Sequence, residues 1–335
     1  MTEGRGLPAL VLRYLLLAVA VVLLNFFLPR LMPGDPLDVS TASGLGTGAV
    51  LSGPARAELR AYYHLDEPPM AQLRDYLVGL AHGDLGWSIA EGQSVRSLIG
   101  ERLGWTLALM LSALVVSTLV GTGLGLLAGW RPGTRRDRAL VTLAASVGAV
   151  PEFLIAIALL AAFALGLGWF PLAGVQSSFA DFGGGALGLA RQTVDDARHL
   201  VLPATALALA GTAGFLLIAR DATAGLHRAP WLDLARARGL DERRVALRHA
   251  LPNLGLPLLT YFGLRLGAVF GGALVVERVF GVPGLGMLAF QAVQARDYPV
   301  LQAEFLLASL AVLAANFALE LAYRGLERRR MPAHG

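Results

Sequence analysis

The sequence predicts an all-α integral membrane protein with six transmembrane helices. Three observations carry that expectation: overall apolarity, six apolar runs of helix length, and arginine-rich connections that alternate with arginine-poor ones. A mean hydropathy of +0.59, with 55% hydrophobic and 16% charged residues over 335 positions, is too apolar for a soluble domain, where roughly 25% of residues are charged. Cysteine is absent, which excludes disulfides and thiolate metal sites. All 28 basic residues are arginine. A phosphate-binding P-loop needs a lysine at the β and γ phosphates, so any nucleotide that drives this chain sits on another subunit.

A spanning helix needs about 20 mostly apolar residues. Residues 14–31, 104–130, 139–168, 200–219, 254–276 and 300–323 meet or approach that length. Arg5 and Arg13 precede the first run as they would in a signal peptide. Pro29, Arg30 and Met32 then stand where a cleavage site would have small residues, so the run reads as a retained anchor. Segment 32–103 follows, with nine acids against five arginines, and contains short amphipathic helices expected at 55–64 and 70–82. It is expected outside the membrane, as a helical cap that docks an external protein or as a lid over the pathway. In the second span Gly121, Gly125 and Gly129 recur every four residues on one face, and Gly263, Gly267 and Gly271 repeat the pattern in the fifth. Such ladders let helix backbones approach closely in lipid. The third span is long enough to tilt or bend at Pro151.

Arginine placement sets the orientation. Segment 130–139 holds Arg131, Arg135, Arg136 and Arg138, segment 220–253 holds seven arginines, and Arg324, Arg328, Arg329 and Arg330 follow the last span. The positive-inside rule puts these on the cytoplasmic side, with both termini inside. The organisation is then 1–31, first helix; 32–103, external segment; 104–323, transmembrane domain with the basic loop 220–253; and 324–335, basic tail.

Arg265 lies in the fifth span. A charge near mid-bilayer costs on the order of 3 kcal/mol on insertion scales, so it must face protein or water. Two readings stay open: a buried pair with a carboxylate such as Glu320, or a cationic lining of a transport pathway suited to a carboxylate. Arg265 and Glu277 are the candidate pathway residues.

The basic loop is patterned for two short helices. Pro230 suits a first helical turn, residues 231–238 make about two turns, and Gly239 is placed for a left-handed cap. Asp241 is expected to cap a second helix running through Arg248. Ala235 and Ala237 keep one surface slim, while Arg236, Arg238, Arg243, Arg244 and Arg248 supply charge. Helices this short are marginal alone, so the knob is expected to be ordered by docking on a partner.

With these residues in view, the chain resembles the dipeptide, oligopeptide and nickel group of binding-protein-dependent ABC importer permeases, and the loop resembles their EAA loop. Asp233 stands in the glutamate position, Leu234 replaces the first alanine, Ala235 keeps the second, and Gly239 and Leu251-Pro252 keep their spacing. Trp231 occupies a position where this group usually has tyrosine. Gly34-Asp35-Pro36, the run from Gly83 to Ser88, the run from Glu277 to Gly286, and Arg296-Asp297-Tyr298-Pro299 resemble further signatures, so the likeness covers nearly the whole chain. The long external segment is similar to that of the B-type subunit.

The resemblance implies a type I importer permease fold and a set of partners. These are a second, C-type permease, cytosolic ABC ATPases that bind ATP and magnesium, an extracytoplasmic solute-binding protein, and the lipid of a bacterial or archaeal plasma membrane. Nucleic acid has no place in it. It further implies that Trp231, Asp233, Ala235, Arg236, Arg238, Gly239, Arg243, Arg244 and His249 belong to the ATPase-coupling loop. Cofactors and metal ligands are not expected on this chain, and neither is catalysis, because its acids and six histidines form no nucleophile–base pairing. A secondary transporter or channel is the alternative, since Gly- and Pro-interrupted spans occur there too.

Overall fold

Backbone N–H and C=O groups find no water in hydrocarbon, so apolar runs of this kind must close their hydrogen bonds internally as helices. The computed structural model describes residues 7–30, 67–88, 90–177, 182–227, 229–269, 273–295 and 297–330. The expected helix at 55–64, the Gly34-Asp35-Pro36 string, Gly271 and Arg296 lie outside the described residues, as do the side chains of Trp231, Asp233 and Arg236.

In chain order the helices are α1 (Leu7–Arg30), α2 (Pro69–Ala81), α3 (Val95–Gly129), α4 (Arg135–Ala149), α5 (Glu152–Leu159), α6 (Gly185–Leu226), α7 (Pro230–Ala237), α8 (Glu242–Val245), α9 (Gly255–Ala268), α10 (Leu274–Phe280), α11 (Leu285–Ala295) and α12 (Tyr298–Arg330). Wider π turns at Leu160–Gly166 and Ala246–Ala250 extend α5 and α8, the latter running on through Leu251–Asn253. Among the described residues the β pairing is a lone bridge between Trp87 and Ser94.

Among the described residues four helices, α1, α3, α6 and α12, are long and apolar enough to cross a membrane, and the total is six if the broken pairs α4–α5 and α10–α11 each count once. The 95° bend between α4 and α5 falls at Pro151. Proline lacks the N–H of a continuing ladder and pushes its predecessor out of the helical region; Val150 accordingly sits at φ −84° and ψ 125°. The fifth expected span, 254–276, is divided between α9 and α10. Helix α6 overruns its apolar run at both ends: at 1.5 Å per residue its 42 residues extend about 63 Å, twice the ~30 Å of hydrocarbon.

The chain divides into two units. One holds Met1–Gly104 and Gly284–Ala314, the other Trp105–Pro283 and Ala315–Gly335. In the first, Val95, Leu98, Leu288 and Val300 close a buried core. Asn25 of α1 donates to the Gln302 carbonyl at 2.8 Å and to the Tyr76 hydroxyl at 3.2 Å. The Gly83–Ser88 and Asp297–Pro299 strings, far apart in sequence, meet here: the buried Ser88 hydroxyl donates to Asp297 Oδ2 at 2.5 Å, and Ala90 N–H donates to the same oxygen at 3.2 Å. Gly86 adopts φ +91° beside Pro299, 3.5 Å from where a Cβ would stand. The segment expected as an amphipathic helix at 70–82 is α2.

The second unit packs α3, α5, α6 and α10 around Leu109, Ala156, Ala206, Leu207 and Phe280, and α4 lies on α6 through Ala144, Ala213 and Leu216. Gly281, at φ +65°, ends α10 in a left-handed cap, and Val282 N–H donates to Glu277 O at 2.8 Å.

Candidate functional site

The loop between α6 and α9 folds around a small core of its own. Leu232 and Ala235 of α7 and Val245 of α8 are buried together, with Leu240 and Trp130 packed against them. Gly239 takes φ +68°, a region that L side chains rarely adopt. There Arg238 N–H donates to Leu234 O at 3.1 Å and Leu240 N–H to Ala235 O at 3.3 Å. Asp241 occupies the N-cap of α8, but its side chain makes no capping bond; its carbonyl instead accepts from Val245 N–H at 3.0 Å. Two expectations therefore change. The knob has internal packing and does not owe its order to a partner alone, and Ala235 faces that packing and not the surface. Exposed on the knob are Leu234, Ala237, Arg238, Arg243, Arg244, Leu247, Arg248 and His249.

Side chains that the sequence did not single out tie this knob to the long helices. Trp130, just past α3, donates its indole N–H to Glu242 Oε2 at 2.9 Å. Its ring centroid lies 6.0 Å from that of His227, and His227 Nε2 lies 3.3 Å from Gly129 O. Nearby, Arg220 of α6 grips Asp137 of α4 through two bonds, Nε to Oδ1 at 2.9 Å and Nη2 to Oδ2 at 2.8 Å. Asp137 is 2% exposed and also accepts Gly133 N–H at 2.7 Å, while Thr134 caps the helix by accepting Asp137 N–H at 3.2 Å. A paired, hydrogen-bonded carboxylate of this kind is costly to break.

The glycine ladder of α3 lies directly on α6. A Cβ on Gly121 would stand 2.5 Å from Phe215 Cβ and 2.8 Å from Thr212 O. On Gly125 it would meet Leu216 O at 2.5 Å, and on Gly129 it would meet Thr223 Cβ at 2.7 Å and collide with Arg220 O. Gly263 of α9 similarly leaves room for Leu319 of α12, which would be 2.6 Å away, and Gly267 is buried.

One rung above, Ser117 of α3 donates within 3.0 Å of Ala208 O and 2.7 Å of Ala113 O. It borders a cavity of about 120 Å³ that Arg265 and Glu152 also line. Glu320 pairs with Arg324 at 3.2 Å; the pair proposed for it with Arg265 is not formed. Glu277, the other pathway candidate, is fully buried and accepts Thr106 Oγ1–H at 2.9 Å. It is a packed carboxylate of α10, and it does not line this cavity.

Comparison with known proteins gives this geometry a family. The model for the binding-protein-dependent transport system inner membrane component matches residues 121–332. Over 329 residues the chain is 31% identical to the oligopeptide transport system permease protein AppB of Bacillus subtilis, covering 96% of this chain and 99% of that one. It is 32% identical over 327 residues to the di/tripeptide transport system permease protein DppB of Pseudomonas aeruginosa, covering 93% and 94%. This chain belongs to the binding-protein-dependent permease family. A solved structure, the MetNI methionine ABC transporter in inward-facing conformations, is also similar, at TM-score 0.49 and 15% identity over 68% of this chain and 95% of that one.

As a family permease it carries the knob residues in one body and Arg265 in another place. Arg238, Gly239, Arg243, Arg244 and His249 are each exposed on the knob, whereas Arg265 and Glu277 lie on different helices. Sequence reasoning missed Trp130, Glu242, Asp137, Arg220 and Glu152. A signal existed for one of them: Thr134-Arg135-Arg136-Asp137 is a capping-box pattern. The Trp130–Glu242 and Arg220–Asp137 pairings are long-range and leave no periodic trace, and Glu152 shares only a cavity lining with Arg265.

Proposed function

We propose that this permease forms half of the translocation pathway of an ATP-driven peptide importer. A second, C-type permease supplies the other half, cytosolic ATPases bind the ATP and magnesium, and an external binding protein delivers the cargo. The basic segments and both termini face the ATPases. The names of the relatives support peptide as cargo.

The observation that carries the reading is the knob's outer face. Its interior is closed, yet Leu234 and Leu247 stand 53% and 50% exposed among the exposed Arg238, Arg243, Arg244 and Arg248. Exposed leucines interspersed with exposed arginines on a folded protrusion suit a partner surface that is acidic and partly apolar. Trp130 and its bond to Glu242 join that protrusion to α3, so displacement of the knob is felt by the spans. Alternating access needs such an element with two arrangements biased by ligand-dependent contacts.

Gly239→Arg tests it. A side chain at φ +68° costs about 1–2 kcal/mol and re-aims the corner. The expected result is normal membrane abundance with loss of ATPase copurification and of uptake. Full uptake by the isolated chain without ATP overturns the reading.

A further inference from the structure

The cavity beside Ser117 holds two ionic groups of opposite sign that the fold leaves unused. Arg265 of α9 is half-buried, Glu152 at the start of α5 is exposed, and both line the same space. Among the described residues neither makes a hydrogen bond or an ion pair, with each other or with any other group. Ser117 directs its hydroxyl to the Ala113 and Ala208 carbonyls, and the remaining lining, including Met110, Leu114 and Leu207, is apolar. The site is deep. Helix α4 runs 15 residues from its Thr134 cap before the bend that leads to Glu152, about 22 Å at 1.5 Å per residue, well into a hydrocarbon layer ~30 Å thick.

A guanidinium is always charged, and at such a depth an arginine with only a packing role is expected to show its counter-ion within the fold. Arg220, although close to the Thr134 end of α4 and not at this depth, already has such a counter-ion in Asp137. Arg265 does not, and the fold instead keeps space around it: a Cβ on Gly211 would meet Ser117 Oγ at 2.6 Å and Arg265 Nη2 at 3.3 Å. The planar fork of arginine suits a carboxylate held by two parallel bonds. Glu152 offers the complementary pole for an ammonium group. The cavity volume of about 120 Å³ is several times the ~30 Å³ share of a liquid water. Glu152 in its lining is exposed, so cargo side chains need not be enclosed.

We infer that Arg265 and Glu152 form a dipolar subsite for the charged ends of a zwitterionic peptide, Arg265 taking the free carboxylate and Glu152 the ammonium. The inference rests on the peptide-importer reading and adds to it a requirement for free termini inside the membrane, after the binding protein has released its cargo.

The test uses the full-length chain assembled with its partner permease, ATPases and binding protein in proteoliposomes. The cargoes are alanyl-alanine, alanyl-alanine amide and N-acetyl-alanyl-alanine. Each rate is expressed relative to the native assembly with the same cargo, so selectivity of the binding protein cancels. Arg265→Gln is expected to lower uptake of alanyl-alanine about tenfold or more and to change the amide by less than about twofold. Glu152→Gln is expected to lower uptake of alanyl-alanine and spare the N-acetyl form. Arg265→Lys, which keeps the charge without the fork, should fall between, and if the glutamine variant does not reach the membrane it supplies the test, with a smaller loss for the free acid than glutamine would give and still little for the amide. Equal loss for free acid and amide marks a structural ion pair, for example with a carboxylate of the second permease, and overturns the subsite. So does unchanged free-acid uptake in Arg265→Gln. In both cases peptide transport by the native assembly still stands. If the native assembly imports none of the three, the peptide reading falls and takes the subsite with it.

Discussion

Gly125→Ala places one methyl group between α3 and α6, and the structure sets the size of the disturbance. The new Cβ would lie 2.5 Å from Leu216 O and 2.6 Å from Ala219 Cβ, where ordinary contact begins at 3.4 Å. Backbone on one side and a stub methyl on the other cannot swing aside, so the helices must part by about 0.9 Å, the difference between 3.4 and 2.5. Overpacking of this kind costs about 1–3 kcal/mol. Alanine regains up to ~1 kcal/mol of helix propensity, which leaves a net loss of about 0–2 kcal/mol, toward the upper end because neither obstacle can yield. Helix association in lipid rests on van der Waals contact, with no hydrophobic force between the helices, so the separation is not offset by solvent.

Gly123 supplies an internal control. It lies on the same helix with nothing within 4 Å of its Cβ position, so Gly123→Ala gains propensity and meets no obstacle. The assay is the apparent thermal midpoint of the chain in nanodiscs. Gly125→Ala is expected roughly 2–6 °C below the native protein, Gly123→Ala at or above it, and Gly121→Ala and Gly129→Ala on the destabilised side. A Gly125→Ala midpoint equal to that of Gly123→Ala would refute the close-contact argument, because propensity alone would then account for both.

Three further substitutions probe other contacts. Val245→Asp puts a carboxylate into the closed core of Leu232, Ala235 and Leu240; at a cost of about 3 kcal/mol or more the knob should unfold, seen as rapid amide exchange across 230–250 and lost ATPase copurification, with spans intact. Asp137→Asn removes one charge of the pair with Arg220, which is itself 27% exposed; the loss should be about 2 kcal/mol, below the ~3–5 of a wholly buried pair, and an unchanged midpoint would show the pair to be idle. Ser88→Ala deprives buried Asp297 of its 2.5 Å donor, and a loss of about 1–3 kcal/mol should appear as faster amide exchange at 84–95, without change around the knob.

Much of the helical framework was legible because its cause is local. A run of apolar residues is forced into helix wherever it lies in lipid, so the spans and the Pro151 bend follow from composition and one ring. Helix ends were less legible: residues 185–199 of α6 carry Arg191, Asp195, Asp196 and Arg198, and a hydropathy scan stops at such charges, whereas the hydrogen-bond ladder continues through them. The glycines marked a close approach but not its partner, since nothing in the spacing of 121, 125 and 129 points to α6. The knob's own core was missed because its members are separated by a turn and share no period. The link between Ser88 and Asp297 spans 209 residues, a distance over which a single sequence holds no signal of contact.

The same two helices join the knob to the cavity. Trp130 contacts Glu242 at the knob, and from there the contacts of α3 with α6 proceed through Gly129 and Thr223, Gly125 and Ala219, and Gly121 and Phe215. They end at the bond from Ser117 to Ala208 and at Gly211, beside Arg265. From Trp130 to Ser117 this line is about 20 Å long at 1.5 Å per residue. Contacts between flexible side chains would absorb a small displacement over that length. Contacts of glycine backbone against carbonyl oxygens and Cβ atoms fixed to the facing backbone have little slack, so α3 and α6 should move as one body and carry a shift of the knob to the walls of the cavity. That consequence separates stability from coupling. Gly125→Ala should raise the ATP hydrolysed per peptide imported, whereas Ser88→Ala, at comparable thermal cost, should leave that ratio near the native value. Equal ratios in the two variants would mean that motion reaches the cavity by another route.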